Sequence, residues 1–479
     1  MLSAAALAVG GCATTAEAQG TATQITSAEA RQGAEAHPQL LQEFGGAMSG
    51  SQAQYVEQVG KNIAVRSTLS NARDAFTVSL LNSSVNNAFA IPGGYIYTTR
   101  QLVGLMNNEA ELAGVLGHEV GHVAARHSQR RQQAATKNSI LGALGSILAG
   151  AVLGNSQIGQ VLSQGIQQTT QMLTLKFSRS QELEADRLGI QYLRSAGYDP
   201  RAMATVLQSL ANQNALDARL QGRNDARLPE WSSTHPDPAS RVRTATSLAG
   251  GATGMTNRDT FLSRIDGLVY GDDPAQGVIE GSRFIHPDLR LSFTAPNGFY
   301  MVNGTRAVSI NGQSGQAQLT TAPYSGNIDS YVRQVFAGLS QQQQVQPQSL
   351  QRTTVNGLPA AYGTARVNSG NGQVDVVVFA YEFSRNQAYH FVTISQAGRS
   401  NTFSPMFNSM RRISANEAAQ VIPRVISVVN VGQRDTVQSL AARMAYTDAQ
   451  EQRFRVLNGL SSNATVTPGQ KVKIVVRGR

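Results

Sequence analysis

What this chain lacks narrows its roles before any motif is considered. It has one cysteine in 479 residues, so no disulfide framework staples it and none marks its compartment. Charged residues make up only 15% and aromatics 6%. The 40 Lys and Arg are scattered, with no basic run interleaved with aromatics. The net charge of +10 and the pI near 9.9 therefore do not point to nucleic acid. A cationic protein working against anionic lipid or cell-wall surfaces fits the same balance. The uncharged stretch 138–175 is interrupted by Gly, Ser, Gln and Asn, so the ~20-residue apolar run that spans a bilayer is missing there. What is present is 41% hydrophobic residues and 45 glycines, a globular chain long enough for two to four domains.

The richest stretch is GHEVGHVAARH, residues 117–127, inside a run from 109 to 132 that reads as one helix. His118 and His122 are four apart, on one helical face about 40° out of register, so their imidazoles can share a cation. Glu119 sits beside them, placed to take a proton from a water at the metal. A surface helix carrying two histidines is the plain alternative. However, Leu112, Val115, Leu116, Val120 and Val123 make the setting apolar, and buried imidazoles need partners. The motif in this setting points to Zn2+. His127, nine residues from His118, falls about 180° round a continuous helix and is expected to face away.

A zinc site needs a third protein ligand and leaves its fourth position to water. Ala125 and Ser128 stand where the long zinc-helix pattern wants glycine and histidine, so the third ligand must come from elsewhere. Residues 177–189 offer a second helix on which Glu182 and Asp186 share a face, while Glu184 lies about 200° from Glu182 and points elsewhere. Glu182 can then bind zinc while Asp186 accepts a hydrogen bond from a ligating imidazole and fixes its tautomer. An exposed acidic helix is the other reading. Upstream, residues 55–66 carry apolar residues at helical spacing and should pack on the motif helix. Strands are predicted at 76–81 and 95–98, with Asn87 to Ile91 and a Pro92-Gly93-Gly94 turn between them. Such a strand can border the cleft and pair with an extended peptide, which makes Asn87, Ala88, Gly94 and Tyr95 candidate substrate-binding residues. An ordinary small sheet is the alternative.

These motifs together carry a resemblance. His118-Glu119-x-x-His122, then Ser178-Arg179-x-x-Glu182-x-x-Ala185-Asp186, resembles the gluzincin family of HtpX-like, BepA-like and CAAX-prenyl-protease-like zinc endopeptidases. Asn87-Ala88-Phe89-Ala90, Pro92-Gly93-Gly94, and Thr234-His235-Pro236 followed by Arg241 are similar to the same family. The match covers about half the chain. It implies zinc ligands at His118, His122 and Glu182, a catalytic base at Glu119, and misfolded or stalled outer-membrane proteins as substrates. His235 is the candidate for stabilising the developing oxyanion, and it could equally occupy the open metal position and silence the resting enzyme. Membrane-embedded members carry transmembrane helices between the second histidine and the glutamate. Here 138–175 reads as a soluble helical pair, with a membrane-dipping hairpin as the alternative.

Near the start, Cys12 ends a short apolar segment and resembles a bacterial lipoprotein signal, with Cys12 acylated and Ala13 favouring the outer membrane. Beyond residue 252 the pattern alternates as strands do, at 289–293, 306–310, 316–319, 360–367, 374–383 and 388–394, with helices at 328–339 and 404–412. This region has no catalytic set, and His286 and His390 read as lone structural histidines. From 422, strand, two helices and strand resemble a LysM-like domain on Gly432 to Thr436, Asn458 and Pro468-Gly469-Gln470. Such modules bind N-acetylglucosamine polymers such as peptidoglycan, and a degenerate docking copy is the alternative.

The expectation is an α+β multidomain chain. It comprises a signal and tail (1–20), a mainly helical zincin protease domain with a small β-sheet (21–255), an α+β domain (256–415) and a βααβ LysM-like domain (420–479). The expected activity is zinc-dependent endopeptidase, one Zn2+ per chain, in the periplasm and lipid-anchored to the outer membrane. Partners would be protein or peptide substrates, outer-membrane assembly machinery and peptidoglycan, with no nucleic acid. A non-catalytic chaperone or scaffold and a peptidoglycan hydrolase are the rival readings.

Overall fold

The computed structural model describes residues 24–135, 177–222, 235, 238–339, 345–369 and 372–478. Cys12 and the 138–175 pair lie outside them. Helices α1 (Ser27–Glu43) and α2 (Ser51–Ala64) lead into a small sheet of β1 (Thr77–Leu81), β2 (Ala88–Ile91) and β3 (Tyr95–Thr99). The order is β1-β3-β2, with β1 parallel and β2 antiparallel to β3, so β2 is an edge strand. Five helices carry the rest of the first half: α3 (Arg100–Leu105), α4 (Glu109–Ala124), α5 (His127–Ala135), α6 (Arg179–Ser195) and α7 (Ala202–Leu220). A sixth, α8 (Pro238–Ala249), returns across them.

Helix α4 starts where Asn108 accepts a hydrogen bond from the Glu111 amide, with Glu109 and Glu111 in the first turn facing the helix dipole. Only Val123 of this helix escapes full burial, which makes α4 the central element of the core. As the spacing of residues 55–66 predicts, α2 packs on it, Val56, Val59 and Ile63 joining Leu112 and Leu116 in one cluster. On the other side α6 crosses at close range. A Cβ on Gly189 would lie 3.0 Å from the His118 amide nitrogen, and one on Gly121 would lie 3.2 Å from the Ala185 carbonyl oxygen.

The predicted single helix over 109–132 is corrected. It breaks after Ala124, and Arg126 takes a left-handed φ of 50° before α5 begins at His127. That conformation costs a non-glycine residue about 1 kcal/mol. The Arg126 side chain is held by the Gln24 carbonyl at 3.1 Å and by Glu29 at 3.4 Å. Neither Gly nor Pro marks the break, so periodicity runs straight through it.

The middle region forms a seven-stranded antiparallel sheet from Tyr300–Asn303 at one edge to Ser349–Val355 at the other, beside a second sheet of four strands. Five of its seven strands fall where alternation placed them, the two edge strands Tyr300–Asn303 and Ser349–Val355 being unpredicted, and the helix Ile328–Gly338 lies on Leu358–Ser369 and Gly372–Ser384. The helix predicted over 404–412 stops at Ser409, because Arg411 and Arg412 pair as a strand with Ser292 and Leu291. His390 is buried, its Nδ1 2.8 Å from the Tyr331 hydroxyl, and burial pulls it down to about 3. It is a structural residue, as its isolation suggested.

At the end of the chain, strands Arg424–Asn430 and Lys471–Arg477 pair antiparallel around helices Val437–Ala441 and Gln450–Leu457. This unit does not stand apart. Ile426, Phe454, Val472 and Ile474 belong to the same core as Leu112. The Lys473 ammonium is buried and donates to the carbonyls of Gly104 (2.8 Å), Leu105 (3.2 Å) and Met106 (2.5 Å), which would otherwise be orphaned at the end of α3. No helix among the described residues is long and apolar enough to cross a membrane. The shared core predicts that Lys473→Met lowers the stability of the whole chain by about 3 kcal/mol, read as one shifted urea transition. Separate unfolding of residues 424–477 with the rest unmoved would contradict it.

Candidate metal centre

The close crossing of α4 and α6 brings three of the predicted residues together. His118 Nε2 and His122 Nε2 are 3.0 Å apart. The Glu182 carboxylate lies 3.5 Å from the first and 3.6 Å from the second. His235, just ahead of α8, adds a fourth group. Its Nδ1 sits 3.3 Å from His118 Nε2 and 3.0 Å from Glu182 Oε2. One ligating atom from each of these four buried residues falls within 4.8 Å of all the others.

The partners of this cluster are as ordered as the cluster itself. Asp186 accepts from His118 Nδ1 at 2.9 Å, as its place one turn after Glu182 predicted. Arg241 of α8 forks onto Asp186 at 2.5 and 2.8 Å and reaches Glu182 at 2.8 Å. Phe177 stacks on the His122 ring, centroids 3.9 Å apart. Glu119 is fully buried beside the cluster, neither carboxylate oxygen has a hydrogen-bond partner, and His235 Nε2 stands 3.5 Å away.

Electrostatics favour a cation at the centre. Burial works against the Glu182 carboxylate, but His235, His118 and Arg241 hold it well below the usual carboxylate range. Asp186 is lowered to about 2, Arg241 outweighing the cost of burial. Burial and Arg241 pull His118 down, yet Asp186 and Glu182 outweigh both and lift it to about 9. Burial, reinforced by His118, pulls His122 down, and burial raises Glu119. The cluster thus favours a positive charge at the His118 and Glu182 ligating atoms, and a divalent ion bound there would take the place of the proton that His118 otherwise holds. Imidazole and carboxylate are the donor types that bind such ions as zinc. The residues present therefore fit a metal.

The profile of Peptidase family M48 matches residues 50–249. That match covers less than half of the chain. The beta-barrel assembly-enhancing protease of Escherichia coli O157:H7 is 34% identical over 217 residues, 44% of this chain and 42% of that protein. The one from Yersinia pestis is 36% identical over 199 residues, 41% of this chain and 38% of that protein. The mitochondrial metalloendopeptidase OMA1 of Arabidopsis thaliana is 36% identical over 169 residues, 35% of this chain and 30% of that protein. The match spans less than half the length of these relatives.

Within the matched residues, one expectation is corrected. His127 does not face away, because the break at Arg126 turns it back until its Nδ1 meets His122 Nδ1 at 2.8 Å. Glu184 stays off the ligand cluster, as its angle from Glu182 predicts, and reaches the turned His127 ring at 3.2 Å. Of the candidate substrate residues, Asn87 is buried with an unpartnered Oδ1, and the Ala88 carbonyl lies 3.3 Å from His235 Nε2. Gly94 and Tyr95 are not brought to the cluster. A Cβ on Gly94 would meet Ala75 and Ile25, and the Tyr95 ring lies on His37 and Gly33 of α1. The bridging contacts of Arg241 gave no periodic signal in the sequence. Replacing Glu182 with Ala is expected to weaken divalent-metal binding by more than the ~100-fold that outer partners are worth, read by equilibrium dialysis. Unchanged affinity would remove Glu182 from the ligand set.

Proposed function

We propose that this chain is a zinc metalloendopeptidase of the bacterial envelope, with His118, His122 and Glu182 as its ligands and Glu119 as its base. The observation that carries the reading is the buried Glu119 carboxylate, without a hydrogen-bond partner, beside four convergent ligating atoms. A carboxylate pays for burial only where a reaction or an ion uses it. A bound zinc ion supplies Lewis acidity, polarising a scissile carbonyl and lowering the pKa of a coordinated water toward ~7.

The chain's own residues do the rest. Glu119 takes the water proton and later delivers it to the leaving amine, and burial raises its carboxyl above the ordinary carboxylate value. Asp186 holds the His118 tautomer, and Arg241 fixes Asp186 and Glu182 together. Edge strand β2 is available to pair with an extended peptide, its Ala88 carbonyl next to the cluster. A recess lined by Ala90, Ile91, Pro92 and Gly93 continues from that strand to His122. His235 turns Nδ1 toward the ligand atoms and spends Nε2 on Ala88. With Nδ1 so directed, the ring could hold the fourth position at a bound metal, and donating to an oxyanion would require it to swing out.

The wider setting follows from the resemblance. The Cys12 segment supports a periplasmic, lipid-anchored protein, and the relatives' name of beta-barrel assembly-enhancing protease supports outer-membrane proteins and their assembly machinery as partners. The LysM-like pattern of 420–479 adds peptidoglycan. We assign 21–255 to the protease domain and leave 256–415 as an α+β unit that presents substrate or partner.

Casein cleavage by the purified chain is expected to be blocked by chelator and restored by Zn2+. Glu119→Gln should keep the metal and lose at least ~100-fold in rate. Full activity in that variant would refute the base assignment. In the same assay His235→Ala is expected to start faster than the parent, and a slower enzyme would make His235 an oxyanion donor instead.

A further inference from the structure

We propose that His127 and Glu184 form a relay that positions His122, fixing the tautomer in which Nε2 faces the metal. The proposal rests on the metalloenzyme reading above and names two positioning residues outside its ligand set. The contacts run in one line. Glu184 Oε2 is 3.2 Å from His127 Nε2, and His127 Nδ1 is 2.8 Å from His122 Nδ1. His122 Nε2 then stands 3.0 Å from His118 Nε2.

One arrangement of protons satisfies the line. An ionised carboxylate only accepts, so His127 Nε2 carries the hydrogen. A neutral imidazole then accepts at Nδ1, which requires His122 to donate from its own Nδ1. That leaves the His122 Nε2 lone pair directed at the ligand atoms of His118 and Glu182. Thus both histidine ligands are oriented by a carboxylate. Asp186 acts on His118 directly, and Glu184 acts on His122 through an interposed ring.

The surroundings hold the relay in place. His127 is fully buried, and its carbonyl accepts from Gln181 Nε2 at 3.2 Å. Arg130 pins Glu184 at 3.0 Å, while Phe177 fixes the plane of the His122 ring. The left-handed turn at Arg126 is what delivers His127 to this position. A helix continuing through residue 127 would carry the ring to the opposite side.

Zinc affinity of the full chain, measured by competition with a chromogenic chelator, tests this. His127→Leu keeps bulk and removes the acceptor, and is expected to weaken binding ~10- to 100-fold. His127→Asn returns an acceptor oxygen near the Nδ1 position and should recover most of that loss. Glu184→Gln, at a partly exposed position, should lose several-fold and change the visible spectrum of the Co2+-substituted protein. A His127→Leu chain with parental zinc affinity overturns the relay, as does a His127→Asn chain no better than His127→Leu. Should His127→Leu fail to fold, an unchanged affinity and Co2+ spectrum in Glu184→Gln overturn it equally. A parent chain that binds no zinc would instead defeat the metalloenzyme reading on which the relay rests.

Discussion

The site depends on how closely two helices can approach. Gly117 and Gly121 on α4 meet Ala185 and Gly189 on α6, and almost no room is left for a Cβ at the crossing. Small residues four apart on both helices let the backbones touch, as the ridges-and-grooves picture of packing requires. Because Glu182 precedes Ala185 by about one turn, and His118 and His122 follow Gly117 and Gly121 directly, backbone contact becomes side-chain convergence. A methyl group at Gly189 would lie 3.0 Å from the His118 amide nitrogen and 2.8 Å from Met203 Cε, so the two helices could not keep this approach unchanged.

Around that crossing the chain assembles charges that would be costly alone. Asp186, Glu182 and Arg241 are all buried, and each is tolerable only because the others are in reach. Arg241 comes from a third helix, so the electrostatic arrangement closes only when α8 is seated. The far end of the chain contributes to the same core, since Lys473 caps α3 immediately before the motif helix begins. Stability of the C-terminal segment and order in the metal-ligand cluster are thereby linked through α3 and α4.

Much of this was legible in sequence because helical periodicity is geometric. Four-residue spacing placed His118 with His122 and Glu182 with Asp186, and apolar spacing seated α2 on α4. Alternation found the five inner strands of the middle sheet for the same kind of reason and missed its two edges, Tyr300–Asn303 and Ser349–Val355. Periodicity failed where the backbone departed from it without a marker. Arg126 adopts a conformation usual for glycine, so a reading that extended the helix turned His127 the wrong way and left Glu184 without a purpose. The role of Arg241 was invisible because its partners lie 55 and 59 positions away on another helix. Lys473 sits in an alternating Lys-Val-Lys-Ile stretch that looks solvated, and only tertiary packing reveals its burial.

Zinc K-edge absorption of the purified full chain tests the central claim most directly. One zinc per chain, with a shell of nitrogen and oxygen ligands at ~2.0–2.1 Å that is lost in His122→Ala, is the predicted result. A chain without zinc, or a shell that survives that substitution, would contradict it.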